Sequence, residues 1–571
     1  MPEKNAAVSL HALFREEWEA HLADDPFFAT VTGDRRYNDR LPEASEARFA
    51  RRAEALRRFL DRVQHIDRQA LSDDDRLNVD VFRRLKQEAL AEIDFRTYLM
   101  PITRMGGFHT ALAELSNLVM FDRLQDFEDY LARLAGLESY LEGETSLMRR
   151  GLAEGVTQPR AALQGAEASI DAFLTEDPER NALYEPFARL PEEIDGTAGG
   201  RLAQEARRIL TTSIVPAYRR LRRFMTEEYL PGARQTIAAA DLPAGRPFYE
   251  HCVRMHVSLD VTPEQVHQIG VSEVGRIRHE MEAIRAKVGF SGDLAAFGEH
   301  LRREARFYAE TPEQLMKEVA YVLKRMDGEL PRLFRKLPRL PYGIRPVPDY
   351  LAPQTTTAYY WEGAGDGSRA GFYYVNTYDL KSRPLYEIEA LSLHEAVPGH
   401  HLQIALQTEQ TDLPEFRRFE GFTAFVEGWG LYAERLGLEV GFYQDPYSDY
   451  GRLIYEMWRA CRLVVDTGMH ALGWSRDQAI AYLTENTALT ELNVRNEVDR
   501  YITMPGQALA YKMGELKLRE LRRRAQDRLG DRFDVRAFHD AVLRDGAVPL
   551  DVLEAKMEAW ISGQWPVAGG Q

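Results

Sequence analysis

Apolar residues recur at three- and four-residue spacing over residues 44–65, 76–94, 124–151, 201–229, 262–288 and 311–335, set among Arg, Glu and Ala. That period puts them on one face of an α-helix, so the chain is expected to be mainly α. Thr262-Pro263-Glu264 and Thr311-Pro312-Glu313 mark two starts. In each, Thr caps free N–H groups, Pro fits the first turn, and the acid suits the helix dipole. Strand-like sequence is scarce, and the clearest case is Gly371-Phe372-Tyr373-Tyr374-Val375-Asn376, preceded by a loop or hairpin turn at Gly363-Ala364-Gly365-Asp366-Gly367.

A chain of 571 residues has room for several domains or for two large helical lobes. Prolines and glycines between 230 and 247 favour a boundary there, giving an N-terminal lobe at 1–245 and a catalytic lobe at 246–571. A low-complexity tail is expected only at Val567-Ala568-Gly569-Gly570-Gln571. The net charge of -16 excludes nucleic acid as the main partner, because phosphate binding needs a basic face. Cys252 and Cys461 are too few for a disulfide framework, and no stretch approaches ~18 apolar residues. With no signal-like start, the expectation is a cytoplasmic protein with no membrane partner; oligomeric state is not readable.

The chemistry gathers after about residue 370. His394-Glu395-Ala396-Val397-Pro398-Gly399-His400-His401 follows a helical lead-in from Tyr386. A His-Glu pair followed by another His is how helical zinc hydrolases arrange ligand, base and ligand, normally with the histidines at i and i+4. Here i+4 is Pro398. On an ideal helix His400 lies about 120° from His394, while His401 lies about 20° away but ~10 Å along the axis. A distortion at Pro398-Gly399 is needed to bring in His400, with His401 as the alternative ligand.

Zinc takes a third protein ligand and leaves one position for water. A helix from Phe419 to Leu436 carries Glu420, Glu427 and Glu434 at seven-residue spacing among apolar residues. Glu427 is the expected ligand, and Glu434 or Glu420 would hold a histidine's other ring nitrogen. Taken singly, adjacent histidines are more often surface or core residues, and a Glu heptad is more often a solvated face.

These residues resemble the bacterial family known as domain of unknown function 885, distantly similar to helical zinc oligopeptidases such as thimet oligopeptidase and neurolysin and to carboxypeptidase Taq. The resemblance runs from Gly33-Asp34-Arg35-Arg36-Tyr37 through Thr262–Gly270, Gly371–Asn376, HEAVPGHHLQ at 394–403 and Phe425-Val426-Glu427-Gly428-Trp429 to Tyr501–Lys512. It implies a two-lobed, neurolysin-like helical fold with a deep cleft, a small β-sheet near the active site and one zinc ion per chain. It also supports Glu427 through the phrase Phe-Val-Glu, and His400 over His401. The expected activity is zinc-dependent hydrolysis of short peptides, as oligopeptidase, dipeptidase or carboxypeptidase. Glu395 would take a proton from the metal-activated water and pass it to the leaving amine.

Tyr501, Tyr511 and His470 are the candidate donors to the oxyanion, with ordinary packing as their bland alternative. Asp466, between Arg462 and His470 at four-residue intervals, suggests a relay or a structural network. Tyr373, Tyr374 and Asn376 of the strand, together with Gln507, are candidate substrate contacts, the strand pairing edge-on with an extended peptide. Arg495, Arg500 and Lys512 are candidates for a terminal carboxylate. The competing readings are a metal-dependent hydrolase of a non-peptide amide or ester, and a non-catalytic helical binding protein.

Overall fold

The computed structural model describes residues 2–564 other than 117, 118, 120, 192, 193, 195, 349–351, 353–355, 364–366 and 368. The centre of the expected 363–367 loop and the 567–571 tail lie outside the described residues. The protein is mainly α. The expected helices form as Glu46–Gln64, Asp73–Asp94, Leu124–Glu154, a run from Gly196 to Gly232, Pro263–Lys287 and Pro312–Leu333. Thr262 and Thr311 each accept a hydrogen bond from the backbone N–H three residues on, as their sequence context predicts.

Residues 1–248 together with 499–504 make one compact unit, and 249–498 with 505–571 make a second. In the first, Leu124–Glu154 packs along the 196–232 run. Phe127, Leu134, Leu137, Leu141 and Met148 share a core with Leu202, Ala206, Ile214, Tyr218 and Phe224. Burying each such side chain contributes roughly 1.5–3 kcal/mol, which is why helices of modest propensity hold together. The 196–232 run widens to π-type turns at Leu210–Ile214 and Phe224–Tyr229. Residues 499–504 join this unit through Thr503, whose hydroxyl accepts from the Arg104 N–H at 3.1 Å and whose carbonyl accepts from Gln158 at 3.2 Å.

The second unit is built on α1 (Pro263–Lys287), α2 (Pro312–Leu333), α3 (Ile388–Glu395), α4 (His400–Thr408), α5 (Thr423–Leu436), α6 (Pro446–Ala471) and α7 (Ala510–Leu529). Long α6 runs against α1 and also touches α3, while α5 packs on α7 and α3. The expected helix from Phe419 to Leu436 is broken: a short helix ends at Phe419, and Glu420 is extended (φ −97°, ψ 148°) before α5 begins at Thr423.

A three-stranded sheet of β1 (Tyr342–Pro346), β2 (Ala358–Trp361) and β3 (Gly371–Val375) has the order β1-β3-β2. β1 runs parallel to β3, with Arg345 opposite Tyr374; β2 runs antiparallel, with Trp361 opposite Phe372. The aromatic strand is therefore central and paired on both sides. It has no edge to offer a peptide, which corrects the expected edge-on pairing. No helix among the described residues is long and apolar enough to cross a membrane.

Candidate metal centre

The metal motif is not a kinked helix but two helices joined by a turn. α3 ends at Glu395, Ala396 and Gly399 leave helical geometry (ψ −101° and −127°), and α4 begins at His400. Gly399 is required by contact rather than by φ: a Cβ there would fall 1.9 Å from the His394 carbonyl oxygen and 2.5 Å from that of Leu393. The turn is pinned by the Trp429 indole, which donates to the Pro398 carbonyl at 2.9 Å, and by the His401 N–H, which donates to Ala396 at 3.0 Å.

This break turns His400 toward His394, and their rings meet edge to face with centroids 4.6 Å apart. Glu427 of α5 completes the group. Its Oε2 stands 3.5 Å from Nε2 of His394 and 3.5 Å from Nε2 of His400, and one donor atom of each residue lies within 4.8 Å of the others. Donors 2.0–2.1 Å from one ion at tetrahedral angles are ~3.3 Å apart, so these spacings fit zinc with little adjustment. Behind them, His394 Nδ1 is 2.8 Å from Oε1 of buried Glu434, two turns along α5 from Glu427. That bond fixes the ring and leaves Nε2 as the donor. Gly430 makes room for the same ring, since a Cβ there would lie 2.7 Å from its Cε1.

The charges agree with this geometry. Burial works against the His394 imidazolium, yet hydrogen bonds to Glu427 and Glu434 raise its pKa to about 9. Burial likewise disfavours the Glu427 carboxylate, but the two imidazoles hold its pKa well below the ordinary range. A cation in their midst replaces those protons. Glu395 is half-buried at the end of α3. Its charge acts with burial to push up the pKa of the Tyr373 hydroxyl on β3, which is fully buried.

His401 faces elsewhere. Its Nδ1 is 2.9 Å from the Tyr360 hydroxyl, its ring packs 4.8 Å from that of Tyr342, and burial lowers its pKa to about 4. It ties α4 to the sheet and is not among the converging donors. Glu420, outside α5, does not share the face of Glu427 and Glu434; its backbone carbonyl accepts from Gln407.

Several other expected roles change. Lys512 is wholly buried, with Nζ 2.7 Å from Glu456 and 2.9 Å from both Glu515 and Glu273, so it is a structural cation and not a substrate contact. Asn376 is buried and spends its amide on the carbonyls of Ala352 and Thr356. Tyr374 stacks on Tyr359 at 4.9 Å. Arg495 pairs with Glu491 one turn away on the surface, and the Arg500 guanidinium lies over the Tyr501 ring. Tyr501 is buried and belongs to the first unit. Asp466 accepts from the Tyr249 hydroxyl at 2.6 Å and the Gly506 N–H at 3.1 Å, holding the turn before Gln507, and buried His470 packs against Tyr249. Tyr511 is half-exposed beside Arg462 and Arg459. Two residues of α6 went unnoticed in the sequence, Tyr455 and Arg459. The available signal was a charged residue every third position, Glu456, Arg459 and Arg462, inside the otherwise apolar run Leu453–Val465.

Fold and site together give a mainly helical protein in which two histidines and a glutamate converge closely enough to hold a metal ion. The chain belongs to the family described as bacterial protein of unknown function (DUF885), whose model matches residues 26–557. It is similar to a solved structure from Colwellia psychrerythraea described as a "putative lipoprotein", at 27% identity over 97% of this chain and 99% of that one, with a TM-score of 0.90. A second, from Shewanella oneidensis and described as a "putative lipoprotein of unknown function", shares the fold at 17% identity, over 96% of this chain and 100% of that one, with a TM-score of 0.74. No curated protein matches the chain.

Proposed function

We propose that the protein is a zinc-dependent hydrolase of peptide bonds in short peptides. The observation that carries this reading is the convergence of His394, His400 and Glu427, with Glu434 behind His394 and Glu395 next to it in the chain. His394, His400 and Glu427 would hold the ion. A bound zinc ion supplies carbonyl polarisation and acidifies a water molecule. The Glu395 carboxylate, outside the ligand set, accepts a proton from water and delivers it to the amine released when the C–N bond breaks. Glu434 keeps His394 in one tautomer and one orientation.

The test is a Glu395→Gln variant loaded with zinc and assayed on a panel of di-, tri- and tetrapeptides. It should keep one zinc per chain and lose hydrolysis by ~10²–10⁴-fold. Turnover equal to that of the unmodified protein would sink the mechanism, and no zinc uptake by the unmodified protein would sink the site. The cytoplasmic location belongs to the same reading. Cell fractionation tests that location, which the two similar structures, each described as a "putative lipoprotein", do not share by description.

A further inference from the structure

Arg459 lies on α6 with only 5% of its surface exposed, yet it makes no ion pair among the described residues. One terminal nitrogen reaches the Tyr455 carbonyl at 3.4 Å, and Nε is buried without an acceptor. Two other buried cations of the same unit, Lys512 and Arg452, each meet carboxylates at salt-bridge distance. Burying a guanidinium without an anion costs several kcal/mol. The rings of Tyr455, Trp458 and Tyr511, at 4.6, 4.8 and 5.8 Å from its CZ carbon, offset part of that by cation–π attraction. They leave the Nε–H unmatched, and the in-plane N–H groups are those that bind a carboxylate in the bidentate mode.

Glu387 does not fill the role. Glu387 acts on both Arg459 and Tyr455 but forms no ion pair with Arg459, and burial raises its pKa to about 8, so it is neutral at pH 7. Arg383, which lines one cavity with Glu387 and Tyr455, spends its donors on the carbonyls of Asn376 and Ser382. Arg459 thus has no carboxylate at ion-pair distance among the described residues.

Its position relates it to the metal centre. α6 packs on α3, the helix of His394 and Glu395. Tyr455, one turn before Arg459 on the same face, has a hydroxyl that responds to Glu434 and Tyr373 as well as to Arg459. One helical turn is ~5.4 Å, the span of one to two residues of extended peptide.

We infer that Arg459, walled by Tyr455, Trp458 and Tyr511, receives the C-terminal carboxylate of the peptide whose bond lies at the His394–His400–Glu427 site, making the enzyme a carboxypeptidase or dipeptidase. This rests on the peptidase reading above. The reaction stays a hydrolysis: water gives OH to the acyl carbon and H to the released amino acid or dipeptide.

The zinc-loaded protein is assayed on tri- and tetrapeptides, each supplied as the free acid and as the C-terminal amide. The free acids should be cut at least 100-fold faster in kcat/KM, with loss of one or two C-terminal residues. Arg459→Met should abolish that preference, mainly through KM, and Arg459→Lys should restore part of it; zinc content and thermal midpoint show whether each variant is folded. Equal rates on acids and amides by the unmodified protein overturn the carboxylate site and leave the peptidase reading standing. No hydrolysis of either form overturns the peptidase reading itself. Binding of the free-acid peptides to the Glu395→Gln protein, followed by calorimetry with the amides as reference, gives the same comparison without turnover, and equal affinities again overturn the site.

Discussion

The two adjacent histidines have opposite duties. His400→Asn removes a converging donor and should weaken zinc binding by at least 100-fold; its Nδ1 has no partner to lose, so any loss of stability comes through the Nε2 contact with Glu427. His401→Asn should keep zinc at nearly native affinity but cost about 1–3 kcal/mol of stability, since the half-buried Tyr360 hydroxyl loses its bond to the buried ring. Competition titration with a zinc chelator, with urea melts of both variants, checks the pair; reversed effects would show that His401 faces the ion. Glu434→Gln should reduce zinc affinity ~10–100-fold through the His394 ring. The residue types of this centre were legible in the sequence because ligand, base and ligand sit within seven positions. Which histidine turns inward came from the family resemblance, which favours His400, and not from the spacing. The 100° rule holds only within one helix, and the chain leaves helical geometry between the two histidines. Lys512 was illegible for a different reason: its partners come from α1, α6 and its own helix, and a buried cation network has no local signature.

The turn between α3 and α4 and the start of α5 are the elements on which the site depends. Gly430→Ala places a methyl group against the His394 ring and should displace it, lowering zinc affinity tenfold or more while far-UV circular dichroism stays unchanged. Gly399→Ala is more severe, because the methyl would meet backbone carbonyls that cannot rotate away; loss of more than ~3 kcal/mol in denaturant melts is expected. A Gly399→Ala protein as stable as the original would mean that the turn is looser than described. Long helices announced themselves through their period and their Thr-Pro-Glu starts. The strand at 371–375 was equally visible, but its central place was not, because its neighbours β1 and β2 end in Pro346 or begin in Ala358, residues with weak strand preference. The break at Glu420 lacks a proline, so the heptad of glutamates looked continuous.

For the whole molecule, buried ionisable groups set the pH range of stability. Burial lowers the pKa of His109 to about 4 and of His539 to about 3, against 6.5 for a free ring. Both rings stay neutral in the folded chain while the unfolded chain takes up protons, so stability falls as pH drops below 6.5. Glu144 and Glu387 go the other way. Burial raises them to about 7 and about 8 from 4.5, so they are protonated when folded and ionised when unfolded, and stability falls as pH rises from 4.5 to 8. The thermal midpoint should therefore peak between about pH 4.5 and 6.5 and decline on the alkaline side, where His394, raised to about 9, also loses its proton. Scanning calorimetry from pH 4 to 9 checks this, and Glu387→Gln should flatten the alkaline slope. A midpoint that climbs steadily to pH 9 would contradict these assignments.

The hexapeptide at 499–504 belongs to the first unit although every residue for two hundred positions before it belongs to the second. On the ribosome, the first unit stays unfinished until residue 504 emerges. At ~5–20 residues per second, the wait after Phe248 is on the order of 10–50 s. Throughout that interval the surface reserved for Thr503, including the Arg104 N–H and the Gln158 amide, lacks its mate. A nascent chain stalled short of 504 is thus a natural client for chaperones, and truncation there should send both units to the protease.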